Sequence, residues 1–188
     1  NKSNNQRKMI VVESKRKKIE TLRNAYPGAD IIDVTSHADG QMVKFSPFYP
    51  HGGIPVPGYE NRTGASVEGI WQGLKVFESE GVDFATIKND TMKNIKRTVR
   101  RLGPCKGHRL GSELLGYLDA RKRIYLPTYR WVLENKIPGL IKYLRKKSEE
   151  GQTIVLLDYE TNADVNDLSK PLSHASLIKA MVENNYPE

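Results

Sequence analysis

Residues 45–75 read FSPFYPHGGIPVPGYENRTGASVEGIWQGLK and join a loop rich in proline, glycine and aromatic residues to an amphipathic helix. The loop is too apolar for a flexible linker and has too many prolines for a central strand, so we predict an ordered loop that carries functional groups. Beyond it, apolar residues recur at helical spacing, and the Ser66 side chain can cap the first turn. We therefore predict a helix that begins at Ser66 and ends at Gly81.

The sequence before this stretch predicts a β-α-β unit. Short β-branched runs at residues 9–12 and 30–35 predict strands, and residues 15–25 predict a helix with Ser14 as its N-cap. The polar residues 1–8 are expected to form a disordered tail.

The sequence after Gly81 predicts more helix than strand. The predicted elements are a basic helix at 94–102, a glycine-flanked basic loop at 103–111, a helical pattern at 129–147 interrupted at Pro138, a strand at 153–157, an acidic loop at 158–167, and a last helix at about 175–183 opened by Ser169 or Ser173. The expected fold class is α+β, a helix-rich single domain over residues 9–188 with a small sheet and the N-terminal β-α-β addition.

Composition limits the classes of function. The net charge of +8 over 188 residues indicates either a solvated basic surface or attraction for a phosphate-bearing partner. The single cysteine, Cys105, excludes an internal disulfide and suits a reducing compartment. No signal-peptide pattern or membrane-spanning run occurs, so we expect a cytoplasmic protein, which includes a viral protein in host cytoplasm.

The sequence has none of the common metal, phosphate-loop or nucleophile motifs, so no metal site is expected. Two carboxylates stand out. Glu68 lies on the predicted helix beside Trp71, and Asp158 directly follows a predicted strand. A carboxylate beside a pocket is suited to acid or base catalysis, whereas the simpler interpretation of each is a solvated acid.

Two motifs in residues 45–75 resemble those of the NADAR family. FSPFYP at 45–50 is similar to the family's F-S-N-F-Y-P, and SVEGIWQGLK at 66–75 is similar to its S-x-E-x-x-x-Q-x-x-K helix. Weaker similarity continues through GHR at 107–109, the helix at 129–136 and LLDYETNAD at 156–164, although the family's closing tryptophan and glycine are missing. The resemblance covers about residues 44–167.

The resemblance implies a helix-rich α+β enzyme that hydrolyses N-glycosidic bonds without a metal or organic cofactor. Substrates in the family include phosphoribosylated pyrimidine intermediates of riboflavin synthesis and ADP-ribose attached to guanine. Glu68 would be the catalytic carboxylate near the anomeric carbon, with Asp158 or Asp164 as the second. The implied substrate-binding residues are Phe45, Ser46, Phe48, Tyr49, Trp71, Gln72, Lys75, His108, Arg109 and Trp131.

Within that set, the roles follow side-chain chemistry. Phe48, Tyr49, Trp71 or Trp131 could stack on the base, although each is equally suited to core packing. Lys75, His108 and Arg109 could hold phosphate.

Two other classes of function remain open. The chain could be a non-catalytic module that binds ADP-ribose or a nucleotide. It could also be a basic nucleic-acid-binding protein, although no recognised nucleic-acid motif is present. A variant of the enzyme hypothesis joins these ideas: the enzyme would act on a modified base within DNA or RNA, and clusters of basic residues would hold the strand. These clusters lie at 15–18, 93–101, 106–109, 121–123 and 142–147.

Overall fold

The computed structural model describes residues 9–188, and the predicted tail at 1–8 lies outside them. The chain divides into two compact units. The terminal unit contains residues 9–46 and 137–187, and the central unit contains residues 47–136. The expectation of one domain over residues 9–188 stays a prediction.

The fold is α+β, as the sequence predicts. In chain order, the elements are β1 (Ile10–Ser14), α1 (Ile19–Ala25), β2 (Asp30–Asp33), a 3-10 helix (Gly40–Phe45), β3 (Ile54–Pro55), β4 (Thr63–Gly64), α2 (Val67–Gly73), β5 (Lys75–Phe77), α3 (Phe84–Lys88), α4 (Val99–Leu102), β6 (Cys105–Leu110), β7 (Glu113–Leu115), α5 (Tyr117–Ala120), a π-helix (Arg121–Tyr125), α6 (Leu126–Asn135), α7 (Pro138–Glu149), β8 (Ile154–Asp158) and α8 (His174–Val182). No helix within these residues is long and apolar enough to cross a membrane.

The terminal unit is built on a parallel three-stranded sheet in the order β1-β8-β2. The predicted β-α-β unit is confirmed, with β8 between its two strands, so that Ile10 and Asp30 both align with Ile154. Every residue of β8 is buried, as expected for the central strand of a parallel sheet. Leu22 of α1 packs against Val155 and closes one side of this core.

The first helix begins later than the sequence predicts. Its N-cap is Lys18, which makes no side-chain capping hydrogen bond. Ser14 is instead the last residue of β1, where it pairs with Asp158, and its hydroxyl accepts a hydrogen bond from the backbone of Arg16. The assignment of Ser14 as a helix cap is therefore wrong, because strand pairing extends through that residue.

The central unit contains the antiparallel pair β3-β4 and the antiparallel sheet β5-β6-β7. Helix α2 packs against α3 and α6. The core of this unit includes the fully buried side chains Ile54, Ile70, Ile87, Ile124 and Tyr129.

Helix α2 ends at Gly73 rather than at Gly81, so the predicted end is wrong. A Cβ at Gly73 would lie 2.3 Å from Cγ1 of Ile87, so glycine allows α2 and α3 to approach closely here. Beyond Gly73 the backbone pairs as β5 with β6, which overrides the helical spacing of the apolar residues.

The basic region that follows also differs from its prediction. The predicted loop at 103–111 contains strand β6. The predicted helix at 94–102 is helical only from Val99, because Thr98 caps it by accepting a hydrogen bond from the Arg101 backbone. Two predictions nearer the C-terminus are confirmed, since α6 and α7 are separate helices and Ser173 is the N-cap of α8.

Candidate functional site

Glu68 lies in the first turn of α2 and contacts Pro47 of the same unit. The Ser66 hydroxyl accepts a hydrogen bond of 2.9 Å from the Gly69 backbone, which confirms the predicted N-cap. The backbone N–H of Glu68 donates to the carbonyl of Pro47 over 2.9 Å. This hydrogen bond attaches Pro47 directly to the turn that carries Glu68.

The Glu68 carboxylate is oriented by a buried glutamine. Nε2 of Gln72 donates to Oε1 of Glu68 over 2.9 Å, and Oε1 of Gln72 accepts from the backbone N–H of Arg97 at 3.2 Å. Because that backbone group can only donate, it fixes which end of the amide faces Glu68. Within residues 9–188, Oε2 of Glu68 receives no hydrogen bond and remains available to a ligand.

Arg97 holds the end of α2 in place. Its buried guanidinium donates to the backbone carbonyls of Gln72, Gly73, Lys75 and Gly81, at distances of 2.6–3.4 Å. The contacts with Gln72 and Gly73 satisfy carbonyls that the end of α2 leaves without intrahelical partners, and those with Lys75 and Gly81 attach β5 and the segment after it. Sequence reasoning missed Arg97, because in a basic run nothing distinguishes the one buried arginine from its exposed neighbours.

Lys75 and His108 face each other across the β5-β6 pair. They are directly opposed in the antiparallel register, so their side chains share one face of the sheet. Burial lowers the pKa of Lys75, while the nearby Glu68 carboxylate and Cys105 partly oppose that shift. Lys75 makes no hydrogen bond or salt bridge through its side chain to any residue between 9 and 188, although it is half-buried.

His108 is a buried, neutral imidazole. It is 1% exposed, and burial, followed by the charge of Lys75, lowers its pKa to about 3 against a smaller opposing effect of a hydrogen bond to the Trp71 backbone. Nε2 has no hydrogen-bond partner in the described part of the chain. A buried ring nitrogen without a partner costs free energy, and such atoms in native proteins require an explanation.

The low pKa of His108 predicts a pH-dependent stability. Below about pH 6.5 the unfolded chain binds a proton at this imidazole, whereas the folded chain does not until about pH 3. The titration of His108 therefore leaves the free energy of unfolding nearly unchanged above about pH 6.5 and lowers it as the pH falls below that value. We expect unfolding in urea to lose about 2 kcal/mol more between pH 7 and pH 5 in the wild type than in His108→Phe. Equal pH dependence in the two proteins would contradict the burial of a neutral His108.

The aromatic candidates differ in their surroundings. The Trp71 ring lies 3.9 Å from the His108 ring, centroid to centroid, and contacts the Tyr117 and Tyr125 rings edge to face, so one of its faces is already covered. Trp131 is half-buried on α6.

Phe48 and Tyr49 are half-buried in the loop, where Tyr49 packs against the His51 ring at 4.6 Å. Of the four aromatic side chains, these two lie nearest in sequence to Pro47, which is hydrogen-bonded to Glu68.

Arg109 is separated from the other two candidates for phosphate binding. Adjacent strand residues point to opposite faces, so Arg109 lies on the face of β6 away from His108 and Lys75. Its guanidinium donates to the Ser112 carbonyl at 3.4 Å. Burial raises the pKa of Tyr59, and the positive charge of Arg109 partly opposes that rise. The sheet brings together Lys75 and His108 but not Arg109.

The remaining candidates belong to the terminal unit. Phe45 and Ser46 are buried, at the end of the 3-10 helix. Oδ2 of Asp158 accepts from the Ser173 hydroxyl at 2.9 Å and from the Ala175 backbone at 3.1 Å, and it contacts Nδ1 of His174 at 3.1 Å. These contacts attach the beginning of α8 to the end of β8.

Asp164 lies on an exposed turn, where its carboxylate accepts from the Asn166 backbone at 2.9 Å. The side chain of Asn162, which sequence reasoning missed, organises this loop by donating to the carbonyls of Asp164, Asp167 and Lys170. The catalytic roles of Asp158 and Asp164 stay predictions.

The described residues contain no group of three histidine, cysteine or acidic side chains able to hold a metal ion. Comparison with protein families gives a match over residues 14–178 to a family of unknown function, DUF6939. The match covers most of the chain, which therefore belongs to this family. A search of curated proteins found no match.

Proposed function

We propose that this protein is an N-glycosidase that hydrolyses the C–N bond of a ribosylated or ADP-ribosylated base or nucleotide. The observation that carries the proposal is the Glu68 carboxylate, with one oxygen fixed by Gln72 and the other available to a ligand. The sequence resemblance to the NADAR family supplies the reaction class. The reaction needs neither a metal nor an organic cofactor.

The proposed reaction uses the charge that develops as the bond breaks. The C–N electron pair leaves with the base, and positive charge forms at the anomeric carbon of the ribose. Glu68 stabilises that charge and accepts a proton from the water whose oxygen bonds to the same carbon. The hydroxyl of that water stays on the sugar, and its proton passes from Glu68, directly or through solvent water, to the nitrogen of the departing base, which returns Glu68 to its carboxylate form.

Lys75 supports the assignment of a phosphate-bearing substrate. Its ammonium group is half-buried, has no partner in residues 9–188 and lies within electrostatic range of Glu68. In the proposed complex it binds a phosphate of the substrate, while Glu68 faces the ribose. A bound phosphate would replace the water that burial removes from the ammonium group.

The test is the release of free base, measured by chromatography, from ADP-ribosylated guanine nucleosides and phosphoribosylated pyrimidines. We expect release by the wild type and a strongly raised KM in Lys75→Met. Arg109→Gln is the matched control, because Arg109 lies on the opposite face of β6 and its loss should change KM little. Tight binding of these compounds without base release would instead favour the non-catalytic nucleotide-binding module.

A further inference from the structure

The central unit is rich in exposed basic side chains from the end of α3 to the beginning of β6. We name residues 88–106 the basic strip. Its exposed basic side chains are Lys88, Lys93, Lys96, Arg100, Arg101 and Lys106. None of them forms a salt bridge within the described residues, and Asp90 is the one acid in the segment.

The backbone of the basic strip is fixed by hydrogen bonds. At one end, the Asn89 side chain accepts from the Thr91 backbone at 2.9 Å and donates to the Lys93 carbonyl at 2.9 Å. In the middle, the buried Arg97 attaches the strip to α2 and β5. The exposed cations on either side of Arg97 therefore extend from a pre-organised backbone, which reduces the entropy lost when they bind a partner.

The other end is attached to the turn after β5. The backbone of Ser79 donates to the Leu102 carbonyl at 3.2 Å, and the backbone of Glu78 donates to the Pro104 carbonyl at 3.0 Å. Two acids lie near this end. Glu80 contacts the buried Arg97 at 3.4 Å, and Glu78 lies beside Gly103. The exposed cations still outnumber the nearby acids.

We propose that the basic strip binds the phosphodiester backbone of a nucleic acid duplex. Residues 88–106 include no aromatic residue, so the strip has no platform on which unpaired bases could stack. Val99 is its one exposed large hydrophobic side chain, which is less apolar area than a protein partner ordinarily buries. Regularly spaced phosphates are the partner that exposed, unpaired lysines and arginines fit best.

This inference does not depend on the proposed hydrolysis. It predicts binding with little sequence preference and a strong dependence on salt concentration, because binding to phosphates releases condensed counterions.

The experiment measures binding of the full chain to fluorescent duplex DNA and duplex RNA across a range of salt concentrations. In the quadruple variant K93Q/K96Q/R100Q/R101Q, we expect affinity at 0.1 M salt to fall by roughly tenfold or more. The slope of log K against log salt should become shallower by up to about 3.6, at about 0.9 for each phosphate that the variant no longer neutralises. The two duplexes then distinguish DNA from RNA as the preferred partner.

The matched control is K18Q/R23Q/K142Q/K146Q, which removes the same charge from exposed side chains of the terminal unit. This variant should keep most of the affinity and the slope. Equal losses in the two variants would show that net charge alone drives binding, and would overturn the proposal. Absence of salt-dependent duplex binding by the wild type, or tighter binding of a polyglutamate peptide than of either duplex, would also overturn it.

Discussion

Replacing Glu68 by glutamine is expected to lower turnover by about two to four orders of magnitude, the usual contribution of a positioned general base. The substitution removes the negative charge but preserves shape, and the new amide oxygen can still accept the hydrogen bond from Gln72. The Ser66 cap and the backbone contact with Pro47 do not involve the Glu68 side chain. Folding stability should therefore change little.

The measurement is the rate of base release at saturating substrate, with thermal unfolding recorded for the same preparations. Glu60→Gln is the control, because Glu60 is an exposed acid of the same unit and its loss should leave the rate unchanged. Full activity in Glu68→Gln would show that a group other than Glu68 activates the water, even if the wild type releases the free base.

Replacing Arg97 by methionine is expected to lower the free energy of unfolding by about 3–5 kcal/mol, because it disrupts a buried charged hydrogen-bond network. The guanidinium is almost fully buried and bonds to four backbone carbonyls between Gln72 and Gly81. Methionine fills much of the volume but donates no hydrogen bond, so these carbonyls would lose a buried partner. The end of α2 and the beginning of β5 should become less stable first.

Urea denaturation measures the effect, with Arg101→Met as the control. Arg101 lies in α4 and is exposed, so its loss should change stability by no more than about 0.5 kcal/mol. Similar stabilities of the two variants would contradict the structural role assigned to Arg97. Amide exchange in β5 would separate a local effect at this strand from general destabilisation.

The start of α2 was predictable because its signals are local. The Ser66 hydroxyl accepts a hydrogen bond from the backbone of Gly69, only three residues further along the chain. The apolar spacing that follows places Ile70 in the core. The same reasoning located β8, α8 and the division between α6 and α7, where short-range patterns and proline act directly on the backbone. The Glu68–Gln72 contact also follows from helical spacing, since residues four apart share a face.

The sequence by itself thus determined the cap at Ser66 and enough helices and strands to define the α+β class, because each of these depends mainly on interactions within a few residues. The tertiary structure decided where α2 ends, which arginine of the basic run is buried, and which of Lys75, His108 and Arg109 share a face. Those features depend on strand pairing and side-chain burial between residues 16 to 33 positions apart. Local propensity carries no information about contacts at that separation, and packing overrides it where the two conflict.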